Sequence, residues 1–337
     1  MASTNLVVGV DGGNTKTIAL LCDVDGRPLG MGRGGSSNWE GQGVEQAAAV
    51  ILEVIGQAIS TSGMNRKQVV HAHMGLAGVD WPEDEPRMRS ALVAAGWQAG
   101  VSLENDAFSA LRAGAPEGYG VAVTAGTGVA SGIAMPDGTK YFYGAYTDLG
   151  GGFDAAAQAL RAVIRAEDGR GQPTALTQAV LKKSGYASAH DLVYAMHRGR
   201  ESVPRSLLDR VLYATAAQGD AVAVEIVTRF GRELALCATN LIRRHHLTEA
   251  DPAVVASGSL FMKTGPLLFE VFRGEVLAVT PRARLVLADQ PPVMGAVRGA
   301  LSACGRDEPE IWARVNQEVA EKGWLRDDSG QAAARAT

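Results

Sequence analysis

The residues best suited to chemistry in this chain follow short apolar runs. Asp11-Gly12-Gly13-Asn14-Thr15-Lys16-Thr17 comes directly after Leu6-Val7-Val8-Gly9-Val10. A glycine turn between two strands leaves several backbone N–H groups facing one hollow, which suits phosphate oxygens. Its glycines let the backbone approach an anion with no Cβ in the way. Thr15 and Thr17 add hydroxyl donors and Lys16 a positive charge. Asp11, at the strand end, can hold magnesium through water. The same seven residues also suit a plain hairpin turn. Thr124-Ala125-Gly126-Thr127-Gly128 repeats the form, an apolar strand followed by a glycine turn. Alone, Gly-Thr-Gly is more often an ordinary turn. Two such turns at equivalent places in a repeated pattern could grip one triphosphate from opposite sides.

Asp106, in Glu104-Asn105-Asp106-Ala107, stands where a strand ends and a helix begins. It could simply cap that helix, or it could accept a hydroxyl proton during phosphoryl transfer. The two phosphate turns favour the second role. Val254-Val255-Ala256-Ser257-Gly258-Ser259 reads as a strand, a glycine turn and a helix start. Small residues there leave room for a purine and ribose, and an ordinary strand–helix turn fits equally. Asp148-Leu149-Gly150-Gly151-Gly152 precedes a helix, and glycines at a helix N-terminus favour an anion. Asp148 could hold magnesium or a sugar hydroxyl. His71 and His73 alternate on a strand and read as strand residues facing one way rather than as metal ligands. His245-His246, beside Arg243-Arg244, reads as a solvated helix end whose cations suit the helix dipole.

The elements that must position these residues follow from hydrophobic period and turn chemistry. Strands are predicted over 6–11, 15–24 and 27–34, with turns at Gly12-Gly13-Asn14 and Asp25-Gly26, the glycines supplying positive φ. Val44, Ala47, Ala48, Ile51, Val54, Ile55 and Ile59 recur at helical spacing and predict a helix over 43–62. A strand at 69–77 and helices near 84–96 and 106–114 follow. The pattern then restarts, with strands at 119–125 and 129–135 and a further turn at Pro136-Asp137-Gly138. This is a duplication of pattern, not of residues. Helices are predicted near 152–167, 173–184, 189–198, 205–217, 220–246, 263–273, 293–303 and 307–322. Strands are predicted at 253–257 and 283–288. The tail from Asp327 reads as frayed.

With 337 residues the chain is too long for one ordinary core. Two domains of about 150 residues suit it better. The boundaries expected are 1–117 for the first and 118–304 for the second, which carries a helical insertion. A C-terminal helix at 305–325 is expected to pack back on the first. Net charge is -4 with no basic block, so neither nucleic acid nor membrane is an expected partner. No apolar run reaches the ~18 residues of a membrane helix. Cys22, Cys237 and Cys304 lie far apart with no CxxC pair, which argues against zinc or iron–sulfur ligation. Few cysteines and a polar start point to a reducing cytoplasm with no export signal.

Five of these segments in this order resemble the actin-like ATPase superfamily, which includes hexokinase and actin. Within it the chain looks like the BadF/BadG/BcrA/BcrD family and its N-acetylglucosamine kinase branch, over residues 6 to about 304. Asp11 to Thr17 resembles the first phosphate motif, Gly126-Thr127-Gly128 the second, and Val254 to Ser259 the adenosine motif. Residues 71–78 and 293–301 look like the two connecting segments. The resemblance implies an α/β fold of two ribonuclease H-like domains around a central cleft, with ATP and Mg2+ as cofactors. It makes Asp106 the catalytic base. Gly12, Gly13, Asn14, Thr15, Lys16, Gly126, Thr127 and Gly128 would meet the phosphates of ATP, and Gly258 and Ser259 its adenosine. Ser36-Ser37-Asn38 resembles the family's Ser-Thr-Asn, which puts Ser37 and Asn38 on the sugar. Gln218-Gly219-Asp220 resembles the stretch beside the adenine pocket. Asp148 matches an acidic residue of a Gly-Asp-Glu-Gly segment, so magnesium would lie near Asp11 and Asp148, held through water.

Three segments depart from that branch. Val129-Ala130 replaces polar residues after the second phosphate turn. Gly144-Ala145-Tyr146-Thr147 stands for a Gly-Gly-Trp-Gly loop and brings Tyr146 to the sugar. Leu149 replaces an acidic residue. A hydrogen-bonding pocket rejects a mismatched sugar strongly, so these changes leave the sugar open. The reaction implied is phosphorylation of N-acetylglucosamine, glucosamine or N-acetylmuramic acid at the 6-hydroxyl, and a homodimer is expected only because two-fold dimers are the commonest assemblies. The rivals are a kinase of another hexose and an ATPase that activates a redox partner. A kinase-like repressor and a non-catalytic binding module complete the set. The redox role needs cluster-binding cysteines, and the repressor needs a helix-turn-helix before the first strand, for which residues 1–5 leave no room.

Overall fold

The computed structural model describes residues 5–126, 128–144, 150–199 and 205–325. These form two compact units, one running to Gly118 and resuming at Gln290, the other comprising Tyr119–Asp289.

In the first unit, β1 (Leu6–Gly12), β2 (Thr17–Asp23) and β3 (Pro28–Gly34) form an antiparallel meander. The chain continues through the short α1 (Trp39–Gln42) and the long α2 (Val44–Ser62) to β4 (Val69–Leu76). Then come α3 (Asp84–Ala94), β5 (Gly100–Glu104) and α4 (Asp106–Gly114). β4 lies parallel to β1, and β5 parallel to β4, giving the order β3-β2-β1-β4-β5. β1 and β2 read as unbroken apolar runs because both faces of the sheet are covered. Leu6, Val8 and Val10 pack with the apolar face of α2, while Val7, Ile18, Leu20 and Cys22 pack into a separate core on the other face. Each such Val or Leu contributes about 1.5–3 kcal/mol by leaving water.

The second unit repeats this plan with β6 (Gly120–Ala125), β7 (Val129–Ala134) and β8 (Lys140–Phe142) as its meander. Five helices follow, α5 (Gly152–Glu167), α6 (Leu176–Ser184), α7 (Ala189–His197), α8 (Arg205–Ala217) and α9 (Ala221–Arg244). They lead to β9 (Ala253–Ser257), α10 (Ser259–Lys263), α11 (Pro266–Val279) and β10 (Arg284–Leu287). The order β8-β7-β6-β9-β10 and the sense of every pairing match the first sheet strand for strand.

The chain then gives α12 (Pro292–Ser302) and α13 (Pro309–Lys322) to the first unit. The sequence assigned the segment of α12 to the second domain. Instead Val293, Val297, Ala300 and Leu301 complete the core behind Ile18, Leu20 and Cys22, joined by Ile311, Val315 and Val319 of α13. The single helix expected over 263–273 is two helices, broken at Gly265 (φ 82) with Pro266 opening the second. Nothing in the sequence marked α1 or β8. At the end of α9, Arg243, Arg244 and His246 are exposed as expected, while His245 is half-buried with its ring 4.4 Å from that of Tyr141 on β8. The expected frayed tail from Asp327 lies outside the described residues.

Candidate active site

In the first unit, β1, β4 and β5 run parallel, and ligands of such sheets gather beyond the carboxyl ends of the strands. Three aspartates stand there: Asp11 on β1, Asp80 in the loop after β4, and Asp106 after β5. Gly12 pairs with Thr17 across the hairpin, so Gly13, Asn14, Thr15 and Lys16 form the turn, and Asn14, Thr15 and Lys16 are exposed. Neither Gly12 nor Gly13 is left-handed, contrary to the reason the sequence suggested for them. Gly12 is required by close approach, because a Cβ there would lie 2.3 Å from Ser37 Oγ and 2.7 Å from Leu76 Cδ2. Ser37 is buried and accepts a hydrogen bond from Thr17 Oγ1 at 2.9 Å. Asn38 Nδ2 donates to Asn14 Oδ1 at 2.5 Å, so the segment expected on the sugar is tied to the phosphate turn. Ser37 itself faces inward, and Asn38 caps α1 through Glu40 N–H.

The neighbouring residue bears on the capping role open to Asp106. Asn105 is the N-cap of α4, its Oδ1 accepting the Ala107 N–H at 2.9 Å. Asp106 is thereby the first helical residue and not the N-cap. Burial, and then the charge of Asp80, push it up to about 6, against the pull of the Ala107 and Asp106 N–H groups. Asp11 is pushed up to about 7 by burial and then by Asp106, while Lys16 pulls it down. Three carboxylates thus share one poorly solvated region, and their mutual repulsion favours keeping a proton.

Sequence reasoning missed Asp80. Burial, together with Glu40 and Asp84, pushes it up to about 6, and its hydrogen bond from Asn105 Nδ2 at 2.7 Å opposes the shift. The available signal was an acidic residue just past a parallel strand. It also missed the support under α4. Buried Glu104 Oε1 lies 2.8 Å from His73 Nε2 and accepts from Arg112 Nη1 at 2.8 Å. His71 meets Ser102 instead, at 2.9 Å.

In the second unit, Ala125 pairs with Val129, and Gly126 and Gly128 lie between them. Thr127, Tyr146 and Asp148 lie outside the described residues. Gly126 N–H donates to the Gly128 carbonyl at 2.9 Å, and Gly152 N–H, opening α5, donates to the Gly126 carbonyl at 2.8 Å. Gly258 combines φ 95 with a Cβ position 2.4 Å from the Ala125 carbonyl oxygen, so only glycine fits. Ser259 Oγ lies 3.7 Å from a Cβ position on Gly126, which brings together the turn expected to take phosphate and the turn expected to take adenosine. Asp209 of α8, also unforeseen, approaches the same place, its carboxylate 3.3 Å from a Cβ position on Gly152. Gln218 is exposed in the turn after α8. Val129 does not line a sugar pocket, because its side chain is buried in the core of this unit, and half-buried Ala130 pairs with Thr124. Cys22 is buried, and desolvation pushes its thiol up, which removes it as a ready thiolate ligand.

Two ribonuclease H-like units of one topology define an α/β protein of the actin-like ATPase class. The chain matches the BadF/BadG/BcrA/BcrD ATPase family over residues 8–297 and belongs to it. It is 25% identical over 303 residues to the N-acetylmuramic acid/N-acetylglucosamine kinase of Clostridium acetobutylicum, covering 88% of this chain and 99% of that one. It is 27% identical over 318 residues to the N-acetyl-D-glucosamine kinase of Dictyostelium discoideum, covering 89% and 99%. The crystal structure of an N-acetylglucosamine kinase candidate from Chromobacterium violaceum has the same fold. It matches with a TM-score of 0.64 at 24% identity, covering 89% of this chain and 99% of that one.

Proposed function

We propose that this chain is an ATP-dependent kinase of an amino sugar, acting on the 6-hydroxyl of N-acetylglucosamine, glucosamine or N-acetylmuramic acid. The observation that carries the reading is Asp106, placed just after the end of β5 with Asn105 rather than itself as the N-cap of α4, and held at about 6. Such a carboxylate is ionised at neutral pH yet basic enough to take a hydroxyl proton. Family membership supports ATP as the donor. The kinase names of the two curated relatives support a sugar acceptor.

In this mechanism the sugar hydroxyl gives its proton to Asp106 as its oxygen bonds the γ-phosphorus and the bond to the ADP oxygen breaks. Most of the rate gain comes from positioning and charge stabilisation. The first unit supplies Asp106 as base, Asn38 for the sugar, and the exposed turn with Thr15 and Lys16 for phosphate. The second supplies the Gly126–Gly128 turn for phosphate, with Gly258, Ser259 and Gln218 for the nucleoside. A primary hydroxyl is the least hindered alcohol of a hexose, which supports position six.

A magnesium ion fits beside Asp11, whose charge is disfavoured by burial and by Asp106 and would be favoured by a cation. Among the described residues no group of three or more His, Cys, Asp or Glu is placed to cage a metal. The ion would therefore ride on the phosphates of ATP, with Asp11 reaching it through water. Bound there, it supplies neutralisation of phosphate charge.

A coupled assay of ADP formation against a panel of amino sugars and hexoses tests the proposal. An amino sugar should give the highest kcat/KM, with phosphorus coupled to both C6 protons in the NMR spectrum of the product. No sugar-stimulated turnover across the panel would refute the kinase reading, and a neutral hexose ranking first would refute the acceptor.

A further inference from the structure

We propose that Asp80 is a positioning residue that locks Asn105, and through it the first turn of α4, in the arrangement that presents Asp106. The inference rests on the reading of Asp106 as base. Asn105 is buried, donates from Nδ2 to Asp80 Oδ1 at 2.7 Å and accepts the Ala107 N–H at 2.9 Å. A backbone N–H can only donate, and an ionised carboxylate can only accept. The amide therefore has one orientation, and flipping it would break both bonds.

Asp80 is itself held from both sides. Its own N–H and that of Trp81 donate to Asp84 Oδ2 at 3.0 and 2.7 Å, and Asp84 is buried at the start of α3. Upstream in the same loop, Ala77 N–H donates to the Gly12 carbonyl at 2.7 Å, and Trp39 Nε1 donates to the Gly78 carbonyl at 2.5 Å. A continuous path of hydrogen bonds and short loop segments thus runs from the strand end bearing Asp11, through Asp80 and Asn105, to the helix bearing Asp106. Beneath it, a Cβ on Gly75 would lie 3.3 Å from Asp106 Cα and 2.3 Å from Ser109 Oγ. The first turn of α4 therefore rests directly on β4, and a small rotation of that turn re-aims the Asp106 carboxylate. Asp80 needs no contact with sugar or nucleotide to act in this way.

The test compares Asp80→Asn, Asp80→Ala and Asn105→Ser in the full chain, by steady-state kinetics and by hydrogen–deuterium exchange over α4. Asn at position 80 can still offer an oxygen to Asn105 and should keep kcat within about threefold of the parent, whereas Ala cannot. Asp80→Ala should lose roughly 10–100-fold in kcat with little change in the sugar KM, since misplacement of about 1 Å can cost 100-fold. Its α4 N-terminal amides should exchange faster. Asn105→Ser, which removes the donor and leaves Asp80 in place, should show the same split. The double variant should be no worse than either single one, because both cut one connection. Wild-type kcat and exchange in Asp80→Ala would overturn the proposal. So would an Asp80→Asn variant as impaired as Asp80→Ala with a raised sugar KM, which would place the carboxylate on the substrate. If the parent phosphorylates no sugar, the reading of Asp106 as base falls, and the exchange data alone decide whether Asp80 holds α4.

Discussion

Replacing Asp106 with Asn should make the protein more stable while abolishing turnover. Burial and Asp80 raise the Asp106 carboxyl from its ordinary 3.8 to about 6. At about 1.4 kcal/mol per pH unit, ionising Asp106 in the folded protein costs about 3 kcal/mol more than in the unfolded chain. The sign follows from the folded value lying above the unfolded one. The penalty is absent below about pH 3.8, grows between there and about pH 6, and is complete above. Asn keeps the shape and an oxygen for the Ala107 and Asp106 N–H groups but drops the charge, so the net gain at pH 8 should be about 1–3 kcal/mol. For a unit of this size that is a rise in Tm of roughly 3–8 °C. Thermal melts of parent and variant at pH 8 and pH 4, with ADP release measured on the same samples, provide the assay. A variant melting at or below the parent at pH 8 would refute the electrostatic reasoning, as would a gain that does not shrink toward pH 4. Near-normal turnover would remove Asp106 as the base.

Three further outcomes follow from the same geometry. The kcat/KM of the parent should fall below about pH 6, approaching tenfold per unit, as Asp106 takes up a proton; a flat profile down to pH 4.5 would contradict this. Gly12→Ala should cost about 1–3 kcal/mol in urea unfolding, because the new methyl lies 2.3 Å from Ser37 Oγ and displaces the acceptor of Thr17. Gly258→Ala, forced against the Ala125 carbonyl at φ 95, should weaken binding of a non-hydrolysable ATP analogue in calorimetry while leaving the sugar KM within about twofold; equal loss of both would remove Gly258 from the nucleotide side.

The hairpin of β1 and β2, the helix α2 and the restart at β6 were legible because each couples a local apolar period to a glycine turn. What failed to show depends on contacts distant in sequence. Asp80 gains its role from Asn105, 25 residues on. α12 reads as a helix anywhere, and only the exposed back of β1 and β2 tells which unit needs it. β8 has three residues and no buried face, so no alternation announces it. Asn105 and Asp106 are both competent caps, and sequence alone cannot say which takes the Ala107 N–H. The glycine at position 12 was recognised correctly but for the wrong reason. A turn suggested freedom of φ, whereas the constraint is Ser37, brought in from the far side of β3.

The duplicated topology also shows how the strand ends of the two units differ at equivalent places. β1 and β6 are topological equivalents, yet β1 ends in Asp11-Gly12 and β6 in Thr124-Ala125. β4 is followed by the loop to Asp80, while its equivalent β9 ends in Ser257-Gly258, with Ser257 bonded to Thr124 at 2.7 Å. The ends of β1, β4 and β5 thus lead to three carboxylates, whereas β6 and β9 end in small neutral groups and β10 leads to the exposed Asp289. An aspartate in place of Thr124, the equivalent of Asp11, would remove the hydroxyl that meets Ser257 at 2.7 Å. It would also set a negative charge against the turn proposed to take phosphate. A proton acceptor needs neighbouring charge to raise its pKa, whereas a phosphate cradle needs none of that sign. One backbone plan with a carboxylate at the end of β1 and neutral groups at the end of its equivalent β6 satisfies both demands.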